Sequence, residues 1–176
     1  MKKYFQDQSG FTLIEMIIVV IIMGILAAVI IPQISTSTED AKLSTLKTQL
    51  KALRSAVEIY YVQHGNVYPG AKNKGNANDT TSDDNAAAAF VAQMILYSQA
   101  NGVTSNTKTA TAKYGPYIKG GALPTNPYNE SKAVVCDYDE TDITVRDWDG
   151  VGTAGWRFFP KTGVLVANDS AAHAAL

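Results

Sequence analysis

The run from Phe11 to Ile31 constrains this chain more than any other part of it. It is nearly all apolar, with Glu15 as its only charge. As a helix rising about 1.5 Å per residue it spans about 30 Å, the thickness of a bilayer hydrocarbon core. Residues 1–10 carry Lys2, Lys3 and one acid, Asp7, and end in Ser9-Gly10. Lysines on that side leave the N-terminus cytoplasmic and send the remainder outward.

Two plain readings meet difficulties. A cleaved secretory signal has an apolar region of about 7–15 residues ending in a small-x-small site. This run is longer, and the Ala27-Ala28 pair within it is followed by more isoleucine. A simple single-pass anchor fits the length but gives no reason to keep Glu15. A carboxylate costs about 2.5–3.5 kcal/mol at mid-bilayer, and less near the interface, where it can snorkel.

The run Gly10-Phe11-Thr12-Leu13-Ile14-Glu15 resembles the class III signal of type IV prepilins and pseudopilins. The resemblance implies that a membrane aspartyl peptidase cuts between Gly10 and Phe11 and methylates the new amine of Phe11. It covers roughly the first 35 residues closely and weakens beyond. Cleavage would create an amine with an ordinary pKa of about 7.7–8.0, and methylation keeps it cationic. Glu15 of one subunit can then pair with the amine of a neighbour, and the penalty on an unpaired carboxylate in low dielectric selects register as well as affinity. Gly10, without a side chain, lets a protease approach the backbone and weakens any helix at the cut. Gly24 and Pro32 weaken the same helix, proline by removing a hydrogen bond and kinking it. Their positions are similar to those where this family's helices bend; a tolerated kink in an ordinary membrane helix is the plainer reading of Gly24.

After Pro32, the polar stretch Ser35–Asp40 leads into a periodic segment. Leu43, Leu46, Leu50, Leu53, Val57 and Tyr60 recur at alternating spacings of three and four, one apolar stripe of an amphipathic helix. Lys42, Lys47, Lys51 and Arg54 are assigned elsewhere on its surface. His64-Gly65 should end it, glycine being suited to the C′ position. With the apolar run it makes a helix of about 80 Å.

The segment 66–85 is rich in Gly, Asn, Asp, Thr and Ser and reads as a surface loop. Ala86–Ala100 reads as a shorter helix, capped by Asp83, Asp84 or Asn85, buried through Phe90, Met94, Ile95 and Tyr97, and stopped by Gly102. Strands are expected at Thr141–Trp148, Gly155–Phe159 and Val164–Ala167, with Val134-Val135-Cys136 as another and 160–163 as a turn. The expected class is α+β: a long N-terminal helix packed on a small C-terminal antiparallel sheet, pilin-like. The divisions follow as leader 1–10, membrane or filament-core helix 11–31, amphipathic helix 32–64, variable loop with a short helix 65–112, and sheet region with tail 113–176.

The segments Tyr114–Lys119 and Leu123–Tyr128, and more loosely Gly155–Phe159, are similar to stretches of the major pseudopilins of type II secretion systems. Cys136 is the only cysteine of the 176 residues, so the disulfide-closed loop of many adhesive pilins cannot form. The tail is a departure, because such pseudopilins often end in an acidic calcium-binding loop and this chain ends Ala-Ala-His-Ala-Ala-Leu.

Asp137, Asp139, Glu140, Asp142, Asp147 and Asp149 crowd one stretch before Gly150, and hard oxygen donors at loop spacing raise calcium as a candidate metal. The pattern is not that of an EF-hand, and solvated turns explain such acids equally. His64 falls at a helix end and His173 in an expected floppy tail; no Cys/His metal spacing or catalytic triad is formed, so no enzyme is expected. Cys136 reads as a small core residue, and the tyrosines as core rather than a conducting array. Asn78, Asn129 and Asn168 fit the N-glycosylation pattern. A net charge of −1 with scattered Lys and Arg argues against nucleic acid as partner.

The expected function is a structural subunit that homo-polymerises through its N-terminal helix. The resemblance implies as partners the prepilin peptidase, an inner-membrane platform protein, an assembly ATPase and minor pseudopilins. A surface pilus pilin is the alternative. A membrane-anchored binding domain that never polymerises is the alternative of another class.

Overall fold

The computed structural model describes residues 10–176 except Ala77 and Val151, and within its first helix describes the backbone but not the side chains of residues 29–36. The expected leader 1–10 therefore lies outside the described residues except for Gly10. Eight elements follow in order: α1 (Leu13–Gln63), α2 (Asp83–Ile95), β1 (Tyr97–Ser98), β2 (Thr104–Ser105), β3 (Val134–Cys136), β4 (Trp156–Phe159), β5 (Val164–Ala167) and α3 (Ala171–Ala174). The chain forms two compact units, Met1–Ala41 and Lys42–Leu176. The class is α+β with a pilin-like arrangement of elements, as expected.

In the first unit, α1 is helical through Gly24, and Pro32 falls where only the backbone is described. Among the described residues no helix is long and apolar enough to cross a membrane; the expected span 11–31 runs into the segment whose side chains are outside the description.

In the second unit the periodic stripe does what its spacing requires. Leu46, Leu50, Leu53, Val57 and Tyr60 are buried against Phe90 and Met94 of α2 and Trp156, Phe158 and Leu165 of the sheet. The helix ends as predicted. Gly65 adopts φ 68° and the Asn66 N–H reaches back to the Tyr61 carbonyl at 3.0 Å, the six-to-one bond of a Schellman cap. Arg54, expected on the surface, is half-buried: its Nε and Nη2 donate to the Leu165 carbonyl and its Nη1 to the Leu176 carbonyl.

The second helix begins earlier and ends sooner than expected. Ser82, not an acid, is its N-cap and accepts from the Asn85 N–H. It stops at Ile95, and Tyr97 lies in a strand because Ser98 exchanges two backbone bonds with Tyr114, at 3.0 and 3.2 Å. That tertiary pairing outweighs helical preference. Gly102 turns the β1–β2 hairpin at φ 86° instead of closing a helix.

The sheet has the order β3-β4-β5. β4 and β5 pair antiparallel through the expected turn, where the Tyr68 ring lies so close to Gly163 that a Cβ there would collide with it. β3 runs parallel to β4, so the expected all-antiparallel meander is corrected to a mixed sheet. The long connection 137–155 returns the chain to the same end of the sheet, which parallel pairing needs. The expected strand 141–148 does not form. Glu140 Oε1 accepts from the N–H groups of Thr141 and Asp142, and Asp142 Oδ1 from the N–H and hydroxyl of Thr144. These local bonds remove the donors a ladder would use. The segment instead lays Val145 and Trp148 on Phe159 and Val166.

The tail is ordered rather than floppy. Ser170 caps α3, Ala174 is buried, and His173 Nδ1 bonds the Asp169 carboxylate.

Candidate functional site

Gly10, Phe11 and Thr12 are not helical, and α1 begins at Leu13. The start of the helix is fixed by Thr12 and Glu15. The Thr12 N–H and hydroxyl both donate to Glu15 Oε2, at 2.8 and 2.7 Å, and the Glu15 N–H returns a bond to Thr12 Oγ1 at 3.3 Å. This is a capping box, with threonine at the N-cap and glutamate at the third helical position. The Thr12-Leu13-Ile14-Glu15 spacing carries that signal in the sequence, yet reading Glu15 as a membrane charge that pairs with a neighbour's amine passes over it. The Gly10-Phe11 peptide lies just outside the helix, and Phe11 is 82% exposed. A Cβ built at Gly10 or Gly24 would meet nothing.

The acidic stretch is spread among separate partners. Asp137 pairs with Arg157 Nη2 at 3.1 Å, and Asp147 faces Arg157 Nε at 3.8 Å from the other side. Asp142 is taken by Thr144, and Asp149 accepts from Gly152 N–H and Asn168 Nδ2. The Asp139 carbonyl meets Lys161. Among the described residues no three His, Cys, Asp or Glu side chains are grouped to hold a metal.

The remaining candidates resolve into packing. His64 is buried, stacked on the Tyr60 ring at 3.7 Å, with Nδ1 on the Tyr60 carbonyl and Nε2 on Ser98 Oγ. A carbonyl can only accept, so Nδ1 carries the proton and Nε2 accepts from the serine. Cys136 is buried, and desolvation pushes its thiol well above the usual range, which suits a core residue. Asn129 and Asn168 spend their amide groups inside the fold, Asn129 on the carbonyls of Gly152 and Ala154 and Asn168 on Asp149; only Asn78 of the three glycosylation patterns is exposed.

Two interior amides had no sequence signal. Gln93, fully buried, accepts from the Gly70 N–H and donates to the carbonyls of Lys72 and Gly102. Asn126, also fully buried, donates to the Gly155 carbonyl and to Asp169.

Comparison with known proteins falls on the N-terminal segment. Residues 6–31 match the family described as Prokaryotic N-terminal methylation motif. The chain is similar to Type II secretion system core protein G of Pseudomonas aeruginosa, 46% identical over 55 residues, 31% of this chain and 39% of that protein. It is similar to a Fimbrial protein of Neisseria meningitidis serogroup B, 43% identical over 77 residues, 44% of each chain. Type II secretion system core protein G of Vibrio cholerae is 39% identical over 67 residues, 38% of this chain and 45% of that one. The chain thus spans less than half the length of these relatives. No solved structure matches. By its methylation motif and by these relatives, the N-terminal segment of this chain is of the pilin and pseudopilin type.

Proposed function

We propose that this chain is a structural subunit of a type IV pilus-like filament, the major pseudopilin of a type II secretion system. The observation that carries the reading is the Gly10-Phe11 junction set just before a helix whose cap is made between Thr12 and Glu15. A precursor so built keeps its cap when residues 1–10 are removed, because Thr12 and Glu15 both lie after the cut. The prepilin peptidase cuts after Gly10 and methylates Phe11. Among the described residues Glu15 uses only Oε2 for the cap, so Oε1 remains to receive the Phe11 amine of a neighbouring copy. One carboxylate then starts its own helix and sets the register of the next.

The precursor enters the inner membrane through the run 11–31, with residues 42–176 outside the cytoplasm. A platform protein, an assembly ATPase and minor pseudopilins would draw it into the polymer, and the subunit performs no chemistry of its own. The likeness to core protein G and the lone buried cysteine favour the secretion filament. The fimbrial relative, with equal coverage of both chains, favours a surface pilus as the second reading.

The test is Glu15→Ala in the full chain. It should leave a protein that inserts and is cut at Gly10, with a methylated Phe11 by mass spectrometry, but that forms no filaments. Normal assembly of that variant, or a mature chain that retains Met1, would overturn the reading. Deleting the gene separates the two filaments: loss of secretion marks the pseudopilin, loss of surface filaments the pilin.

A further inference from the structure

The segment 137–150 ends in an exposed apolar tip. Ile143 is 69% exposed, flanked by Asp142 and Thr144, whose side chains are bonded to each other. Within the tip, Thr141, Asp142 and Thr144 all have their N–H groups bonded, and the Ile143 N–H is the one left without a partner among the described residues. Asp139, Glu140 and Asp142 stand on the N-terminal side of the knob, while on its other side Asp147 faces Arg157 and Arg146 is exposed.

A groove of complementary character lies between α1 and the segment 117–124. It has a volume of about 310 Å³ and is walled by Ala52, Leu53 and Ala56 on one side and Ile118, Ala122 and Pro124 on the other. Its lining includes no acid and one cation, the exposed Lys119. Gln49 also lines it, and Gln49 Oε1 is a buried acceptor without a hydrogen-bond partner. An orphaned buried acceptor is destabilising, and a donor entering the groove would satisfy it.

The tip segment and the helix that walls the groove pack on different side chains of the sheet. Side chains alternate between the faces of a strand. Trp156, Phe158 and Leu165 pack toward α1, whereas Phe159 and Val166 pack toward Val145 and Trp148 of the tip segment. No residue of the tip segment lines the groove, so within one chain the two are separate surfaces. A contact between two different surfaces of identical copies is heterologous, and when it does not close into a ring it generates a helical polymer.

We propose that Ile143 of one copy seats in the α1/117–124 groove of the next, with the acidic tip against Lys119 and the Ile143 N–H on Gln49 Oε1. The proposal rests on the filament reading and assigns the head a contact of its own. A single apolar knob is too small to hold free heads together; it acts when the N-terminal helices have already raised the local concentration.

The test is cysteine cross-linking in filaments assembled from the full chain. Ile143→Cys is combined with Ala52→Cys or with Ala122→Cys, one from each wall; the buried Cys136 does not compete. Disulfides need Cα atoms within about 7 Å, so mild oxidation should give a ladder of multimers from a double variant and none from the single variants. Filaments with no ladder from either pair would overturn the proposal and leave the filament reading standing. If the unsubstituted chain makes no filaments, the filament reading itself fails. As a second arm, Ile143→Asp should keep the melting temperature of the monomer and lose filaments; full assembly of that variant would equally overturn the contact.

Discussion

Arg54 Nε and Nη2 converge on one carbonyl, that of Leu165, at 3.0 and 2.8 Å. Leu165 stands opposite Phe158, between the flanking pairs Arg157–Val166 and Phe159–Val164. Antiparallel pairs alternate between bonded and non-bonded, so the Leu165 carbonyl points away from β4 and off the edge of the sheet. A guanidinium matches that geometry with two donors.

Arg54→Leu should therefore destabilise residues 42–176 by about 2 kcal/mol, the usual worth of bonds from a charged donor reduced for partial exposure. Arg54→Lys should recover less than half of this, because an ammonium has no fork. Denaturant titration of both variants checks the order.

Gln93 is the second staple. Gln93→Leu keeps its volume but strands the Gly70 N–H and the carbonyls of Lys72 and Gly102. The expected loss is about 3 kcal/mol or more, with faster amide exchange at Gly70 than in α1.

Acid should loosen the head through His64. Burial pushes this imidazole below its ordinary value, with the bond to the Tyr60 carbonyl opposing. A depressed folded pKa means that the contribution is complete above the unfolded value of about 6.5 and is lost as pH falls below it. The melting temperature should hold from pH 8 to about 7 and decline below about 6.5. In His64→Gln that decline should be shallower; an unchanged slope would remove His64 as its source.

Thr12→Val removes the acceptor and hydroxyl of the capping box while keeping the shape of the side chain. The helix start should weaken by about 1 kcal/mol, so amides in the first turn of α1 exchange about fivefold faster in detergent, with no change beyond Gly24. Equal exchange would mean that something else fixes the start.

What the sequence made legible is what depends on near neighbours. The stripe Leu46, Leu50, Leu53, Val57 and Tyr60, the cap at Gly65 and the β4–β5 hairpin each rest on spacings within a few residues. The features that escaped are polar groups whose partners are distant in the chain. Arg54 reads as a surface cation until Leu165 is brought beside it, and Gln93 reads as an ordinary helix residue until three loop groups close on it. The 141–148 segment misled for the reverse reason: its alternation of Ile143 and Val145 resembles a strand, but Glu140 and Asp142 had already claimed its amides. At the N-terminus the motif residues were evident, while the cap role of Glu15 was hidden behind its cost in a membrane.

The two margins of the sheet have a further consequence. Arg54 closes the outward carbonyl of β5, and α2 packs along β3 while Asp83 takes the next N–H, that of Tyr138. An open sheet edge is a ready template for pairing with another chain and so for fibre formation. On the filament function proposed above, a subunit held in a membrane before assembly would be exposed to that hazard for as long as it waits. With a group at each margin already taken, the sheet offers a shorter free edge to another copy.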